Sequence, residues 1–194
     1  MATELEAVNQ MLRAVGQTPV TSITASSPRQ VLLAQAEFAA VVKRIQTSGW
    51  HWNTLRTTSP APDGSSNITV PSTYLSVDVD PYGSDRCEDI IKVGDLLFDR
   101  GNDTDEFSST LEILAVVERA LADIPDAFYE WMVAEASRRF HASTHGDPAR
   151  DRELRSDEQV ARGAARKEEF RTRDANRLTN SKVIRRHTFQ YPNY

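Results

Sequence analysis

The chain has 194 residues, 39% of them hydrophobic, and a formal net charge of −5, which fits one domain, or one domain with an insertion and a tail. No run of about eighteen apolar residues occurs, which excludes a membrane-spanning helix, and the acidic N-terminus lacks the basic segment of a secretory signal. The single cysteine, Cys87, excludes an internal disulfide and a cysteine metal cage. We therefore expect a globular protein that is made in a cytosol.

The charge is unevenly distributed along the chain. Residues 148–187 hold twelve Lys and Arg against seven Asp and Glu, a net charge of +5. The rest holds eleven against twenty-one, a net charge of −10. An acidic body with a basic C-terminal segment indicates a docking arm rather than a nucleic-acid-binding domain.

Two capped helices are predicted first. Thr3 and Glu6 form a capping box ahead of a helix that ends at Gly16, and Ser27 is the predicted N-cap of a second helix that ends at Gly49. Their apolar stripes are Leu5, Val8, Leu12 and Val15, and Val31, Phe38, Val42 and Ile45. Because the connection is short, the two helices should pack against each other.

Two tryptophans, Trp50 and Trp52, follow the second helix. We interpret them as covering one end of the helical core, with stacking on a ligand as the alternative. We expect Trp50 and Trp131 to be buried.

The hydrophobic period changes from Ile68 to Val117, and we predict a small antiparallel β insertion over residues 54–119. Residues 75–80 alternate between apolar and polar side chains. Strands at residues 90–93 and 96–98 flank a Gly-Asp turn, and residues 111–117 form a further strand. These are too few strands for a closed barrel, so the insertion must lean on the helices or on another subunit.

The segment 124–140 is the most aromatic predicted helix. Its apolar stripe is Phe128, Met132, Ala136 and Phe140, with Trp131 beside it. Pro125 lies in the first turn, where Asp123 or Asp126 can accept from the free N–H groups. Gly146 ends the helix. We predict that this is the central helix of the core.

Asp147 and Pro148 open a fourth helix that should run to about Asp174. Its apolar content is thin, so we expect it to project or to pack against a neighbouring subunit. Residues 175–194 show no clear period and form an extended arm. The candidate residues for docking on a portal or an adjacent subunit are Arg162, Arg166, Phe170, Arg173, Arg177, Lys182, Arg185, Arg186, Phe189, Tyr191 and Tyr194.

No motif names a catalytic, cofactor or metal site. The chain lacks a G-x-S-x-G elbow, a phosphate loop, H-E-x-x-H and C-x-x-C. His141 and His145 lack a third ligand, and we interpret them as histidines near a helix C-terminus. Residues 99–106 form an acidic loop without calcium-loop spacing, which favours a solvated turn. Carboxylate pairs such as Asp78 and Asp80 carry no weight in a chain with 28 acids.

These patterns predict an α+β fold. About four helices form a bundle from residues 1–53 and 120–174. A small antiparallel β insertion occupies residues 54–119, and residues 175–194 form a C-terminal arm.

Several segments, in the same order, resemble tail tubular protein A of short-tailed, podovirus-type phages. Residues 4–9 and 15–20 are similar to the family's opening, and residues 45–50 (IQTSGW) to its "IQ..GW" segment. Residues 97–100 (LFDR) resemble its "YDR" hairpin. Residues 124–140 resemble its "P..F..W....ASR.F" helix. The set covers roughly residues 4 to 175 and departs from the family beyond about Arg177.

The resemblance implies an adaptor, or gatekeeper, that forms a dodecameric homo-oligomeric ring between the portal protein and the tail nozzle protein. Such a subunit combines a helical bundle with a β-rich part, and DNA leaves the capsid through the central channel without sequence-specific binding. The resemblance implies a virion tail location, no membrane partner, no cofactor and no catalytic residue.

Two alternatives stay open. A DNA-binding module that uses the basic C-terminal helix would bind duplex DNA in a salt-sensitive way, although seven acids between residues 151 and 174 argue against it. A tail-associated cell-wall (glycan) hydrolase would lose glycan cleavage on one carboxylate substitution, although the sequence shows no preferred pair.

Overall fold

A computed structural model describes residues 3–79 and 89–172. The elements of this part are α1 (Glu4–Ala14), α2 (Arg29–Thr47), β1 (Thr54–Thr58), β2 (Tyr74–Val79), β3 (Ile90–Val93), β4 (Leu96–Asp99), β5 (Ile113–Val117), a 3₁₀ turn (Leu121–Asp123), α3 (Asp126–Thr144) and α4 (Pro148–Thr172). The predicted α+β class is confirmed. In the ranges described, no helix combines the length and the apolar character needed to span a membrane.

Helix α3 is the centre of the helical core, as its aromatic stripe predicts. Phe128, Met132, Ala136 and Phe140 have no exposed surface, and α1, α2 and α4 all pack against this helix. The packing of α1 against α2 is also confirmed. Within the α2 stripe, Val41 is fully buried, whereas Val42 is only partly buried.

The starts of the first two helices differ from each other. The Thr3 hydroxyl accepts a hydrogen bond from the Glu6 backbone N–H at 3.2 Å, which confirms the first N-cap. The prediction for Ser27 is wrong, because Pro28 occupies the N-cap position of α2. The Ser27 hydroxyl instead accepts from the Thr24 N–H at 2.9 Å. A local side-chain turn therefore replaces the helix cap.

The boundaries of α3 confirm one prediction and correct another. Pro125 is the N-cap residue and no side chain caps the helix, so neither Asp123 nor Asp126 plays the predicted hydrogen-bonding role. Asp126 still places its charge in the first turn, where the helix dipole favours it. Gly146 adopts φ 68° and donates its N–H to the His141 carbonyl at 3.1 Å, which ends the helix as predicted.

The strands form two antiparallel sheets, one in the order β1-β5-β2 and one of β3 and β4. The predicted hairpin is confirmed, with Val93 paired to Leu96 across the turn. Strand β5 begins two residues later than predicted, and the Leu111 N–H before it donates to the Pro60 carbonyl. A second hydrophobic cluster, separate from that of the helices, contains Ile68, Val70, Val79, Ile90, Leu97, Phe107, Leu111 and Ile113.

The three tryptophans cover one end of the helical core, as predicted. Trp50 and Trp52 meet the Phe128 ring edge-on at centroid distances of 4.9 and 5.4 Å. Trp131 is buried as predicted, at 5% exposure, whereas Trp50 is only partly buried and that prediction is wrong. The Trp50 indole N–H donates to the Ile45 carbonyl at 2.7 Å, which holds the ring in place.

Two fully buried amides join the helices to the three-stranded sheet. The Gln46 side chain donates to the Arg119 carbonyl at 3.1 Å and accepts from the Arg119 N–H at 2.7 Å. The Asn53 amide donates to the carbonyls of Gln46 and Val117 at 2.9 and 3.2 Å. Its oxygen accepts from the Trp50 N–H at 2.7 Å. The end of α2 is therefore tied to the end of β5 by side-chain hydrogen bonds.

Candidate interaction surface

Helix α4 packs along α3 of the same chain, so the prediction that it projects is wrong. The alternative, that it packs against a neighbouring subunit, stays a prediction. Asp147 accepts hydrogen bonds from the Ala149 and Arg150 N–H groups, which caps the start of the helix. Only Leu154, Ala165 and Glu169 are buried on it. Helix α4 therefore has few apolar side chains to pack on α3, and ion pairs contribute to the contact between the two helices.

Arg138 of α3 is the main ionic contact at the first half of α4. Its guanidinium donates to the Glu158 carboxylate and lies 4.0 Å from Asp151. The hydrogen bond to Glu158 raises the pKa of Arg138 above its ordinary value. Because the Arg138 side chain is 27% exposed, the two pairs are partly screened by water. They fix the register of α4 on α3 more than they add stability.

Glu169 holds the other end of α4 to the loop that follows α2. Its carboxylate accepts from the His51 backbone N–H at 3.2 Å and contacts the His51 ring nitrogen Nδ1. The Glu169 side chain is 10% exposed. The two ends of the helix are thus anchored by polar contacts with different parts of the bundle.

Three of the predicted docking residues lie on α4. Arg162 is exposed, and its guanidinium carbon lies 5.6 Å from the centre of the Trp131 ring, a cation–π contact within the chain. Arg166 is exposed, and Phe170 is 70% exposed. The other predicted docking residues lie outside the described ranges: Arg173, Arg177, Lys182, Arg185, Arg186, Phe189, Tyr191 and Tyr194.

The sequence reasoning missed two residues of the same helix. Val160 is 72% exposed, and a Cβ added at Gly163 would meet no atom within 4 Å. Counting helical positions from the buried residues Leu154 and Ala165 finds both on the opposite face. The sequence carried no such signal, because the burial of Leu154 and Ala165 is known only from the structure. A helix that buries so little apolar surface inside the chain thus exposes two large apolar side chains to solvent.

No arrangement suited to metal binding was found in the residues that the structure describes. No group of three or more His, Cys, Asp and Glu residues is placed to hold a metal ion there. The His141 and His145 rings stack at 6.1 Å. His141 is buried, whereas His145 is exposed at the end of α3. This agrees with their interpretation as histidines near a helix C-terminus.

The acidic loop after β4 is more ordered than a solvated turn. Asp99 is 7% exposed and accepts hydrogen bonds from the Gly101 N–H at 2.8 Å, the Asn102 N–H at 3.1 Å and the Asn102 amide at 2.7 Å. The Asn102 side chain lowers the pKa of Asp99 below its ordinary value. The loop residues Asp103 and Asp105 are exposed, so the solvated-turn interpretation is wrong only for Asp99.

The segments that carry the family resemblance coincide with these structural features. Gln46, Gly49 and Trp50 build the joint with the sheet, and Asp99 organises the loop after the hairpin. No curated protein matches the sequence. A family model described as "Tail tubular protein" matches residues 5–175, most of the chain. The chain therefore belongs to the tail tubular protein family and is a structural component of a phage tail.

Proposed function

We propose that this tail protein is the adaptor between the portal and the tail nozzle, assembled as a dodecameric ring around the DNA ejection channel. The observation that carries the proposal is the exposed face of α4. Val160 and Phe170 project from a helix that leads directly into the basic and aromatic C-terminal segment. Isolated surface apolar residues are ordinary, but their position on one helix beside a basic and aromatic segment supports a binding role for this face.

The charge distribution supports the same role. Residues outside 148–187 carry a net charge of −10. An acidic wall does not attract DNA phosphates, so DNA would pass the channel without sequence-specific binding. The basic C-terminal segment is then the part that reaches the portal or the adjacent subunit.

The two hydrophobic clusters support the division of each subunit into a helical part and a β-rich part. The helical cluster draws on residues 7–52 and 121–165, and the β cluster on residues 68–113. We assign residues 1–53 and 120–174 to a helical body, residues 54–119 to a β-rich part, and residues 175–194 to the arm. In this proposal the protein acts by binding and has no enzymatic activity, in keeping with its structural family.

Deleting residues 176–194 tests the role of the arm. We expect the truncated protein to keep the circular dichroism spectrum of the full chain, because residues 7–165 build both clusters in the part of the chain that the structure describes. It should lose binding to the purified portal in a pull-down. Val93→Ser is the matched control, since it alters a 56% exposed apolar residue on the β3–β4 hairpin. Portal binding by the truncated protein at full strength would refute the assignment of the arm.

The native mass of the full chain, alone and with the portal, tests the ring. We expect a large assembly in at least one of the two conditions. A monomer in both, with no portal affinity, would refute the adaptor function.

A further inference from the structure

Two helices of the bundle carry exposed apolar stripes that nothing in the described chain covers. The outer α2 stripe consists of Leu33, which is 42% exposed, and the exposed Ala36 and Ala40. The outer α4 stripe consists of Val160, Gly163 and Phe170, and the two large side chains are 72% and 70% exposed. The members of each stripe recur at intervals of three, four or seven residues, so each stripe lies along one helix face.

The two stripes cannot cover each other within one chain. Each lies opposite the face that its helix buries, which holds Phe38 and Ile45 on α2 and Leu154 and Ala165 on α4. Both helices pack against α3 and form no substantial contact with each other. The stripes therefore point away from the bundle in different directions.

The shapes of the stripes fit each other. Small residues in each stripe, Ala36 and Ala40 on α2 and Gly163 on α4, allow two helix backbones to approach closely. Leu33 lies seven residues before Ala40, and Phe170 lies seven residues after Gly163. In an antiparallel pairing that sets Ala40 against Gly163, Leu33 and Phe170 therefore meet about 10 Å along the helix axis from that point.

The charges beside the stripes favour the same antiparallel direction. Glu37, whose carboxylate also lies 3.5 Å from the Arg139 guanidinium of its own chain, then lies level with Arg166. Lys43 lies within a turn of Asp157, which is exposed. A parallel pairing on the same centre would instead set Lys43 against Arg166. The antiparallel arrangement thus avoids the contact of Lys43 with Arg166 that the parallel one imposes.

We infer that the outer α4 stripe of one copy packs antiparallel against the outer α2 stripe of the next copy. A contact between two different faces of the same chain is heterologous, so it repeats from copy to copy and closes into a ring when the rotation permits. The inference rests on the proposed function, since it names the contact that builds the adaptor ring.

Paired cysteines test this contact in the full-length chain with Cys87→Ser. Ala40→Cys mixed with Gly163→Cys should give disulfide-linked dimers on mild oxidation, and one chain carrying both should give a ladder of multimers. Neither single variant should cross-link alone. Disulfides need Cα atoms about 4.4–6.8 Å apart, so the result reports close approach. The control pair is Ala142→Cys, at an exposed alanine of α3, mixed with Gly163→Cys. This pair should not form disulfide-linked dimers.

The outcomes separate the contact from the adaptor function. Large assemblies without the expected cross-links, or cross-links equally strong in the control pair, would refute the contact and leave the adaptor function standing. Cross-linked ladders from a protein without portal affinity would support the contact and refute the adaptor function. A monomer in every condition would refute both.

Discussion

Replacing Asn53 with alanine should destabilise the protein at the joint between the helices and the three-stranded sheet. Asn53 has no exposed surface, and its amide makes three hydrogen bonds, with Trp50, Gln46 and Val117. At about 1 kcal/mol for each hydrogen bond, Asn53→Ala should reduce the free energy of unfolding by about 3 kcal/mol. The partners left behind are backbone groups that water reaches poorly.

Thermal unfolding followed by far-ultraviolet circular dichroism measures this loss. For a chain of this length, 1 kcal/mol corresponds to about 2–4 °C, so the melting temperature should fall by about 6–12 °C. All variants are compared at one protein concentration, because assembly would shift the melting temperature.

Asn67→Ala is the matched control for Asn53→Ala. The Asn67 side chain donates one hydrogen bond, to the Asp105 carbonyl at 3.0 Å, in an exposed loop. Its loss should cost less than about 1 kcal/mol. Equal melting temperatures for the two variants would refute the argument that the buried amide joins α2 to β5.

Two further predictions concern backbone strain and acid stability. Gly49→Ala should reduce the free energy of unfolding by about 1–2 kcal/mol, because Gly49 adopts φ +72° and a Cβ would lie 3.0 Å from Val116. Gly163→Ala, in an open helical position, should instead raise the free energy of unfolding by about 0.5–1 kcal/mol. Melting temperatures that shift in the same direction for both variants would contradict this. The lowered pKa of Asp99 means that its stabilising contribution is present above the ordinary value of 3.8 and is lost as the pH falls through the lower folded-state pKa. Titration of the Asp99 carboxyl carbon by NMR should give a midpoint below 3.8, and a midpoint at or above it would show that the bond from Asn102 does not form in solution.

Local signals in the sequence were sufficient for much of the secondary structure. The hydroxyl cap at Thr3, the Gly-Asp hairpin turn and the helix end at Gly146 depend on residues that are close along the chain. The stripe of α3 was equally readable, because its repeat every four residues sets one face. Ser27 shows the limit of such signals, since its hydroxyl accepts a hydrogen bond from the Thr24 N–H instead of capping α2.

The interaction surface was predictable only in part. The composition of α4 indicates that the helix is poorly buried, and Phe170 is among the predicted docking residues that the structure finds exposed. Arg162 was assigned to docking by its charge, but the structure sets it against Trp131. The exposed position of Val160 depends on which face of α4 meets α3, and ion pairs formed by Arg138 help decide this.

The sequence by itself therefore determined the fold class, the central helix, most helix ends and the hairpin, because these follow from hydrophobic period and from backbone preferences within a few residues. Only the tertiary structure decided the roles of Gln46 and Asn53. Their side chains bond to backbone groups of Arg119 and Val117, which lie 73 and 64 residues away along the chain. The burial of a polar side chain is favourable only when such distant partners satisfy it, and no local pattern in the sequence records where those partners will be.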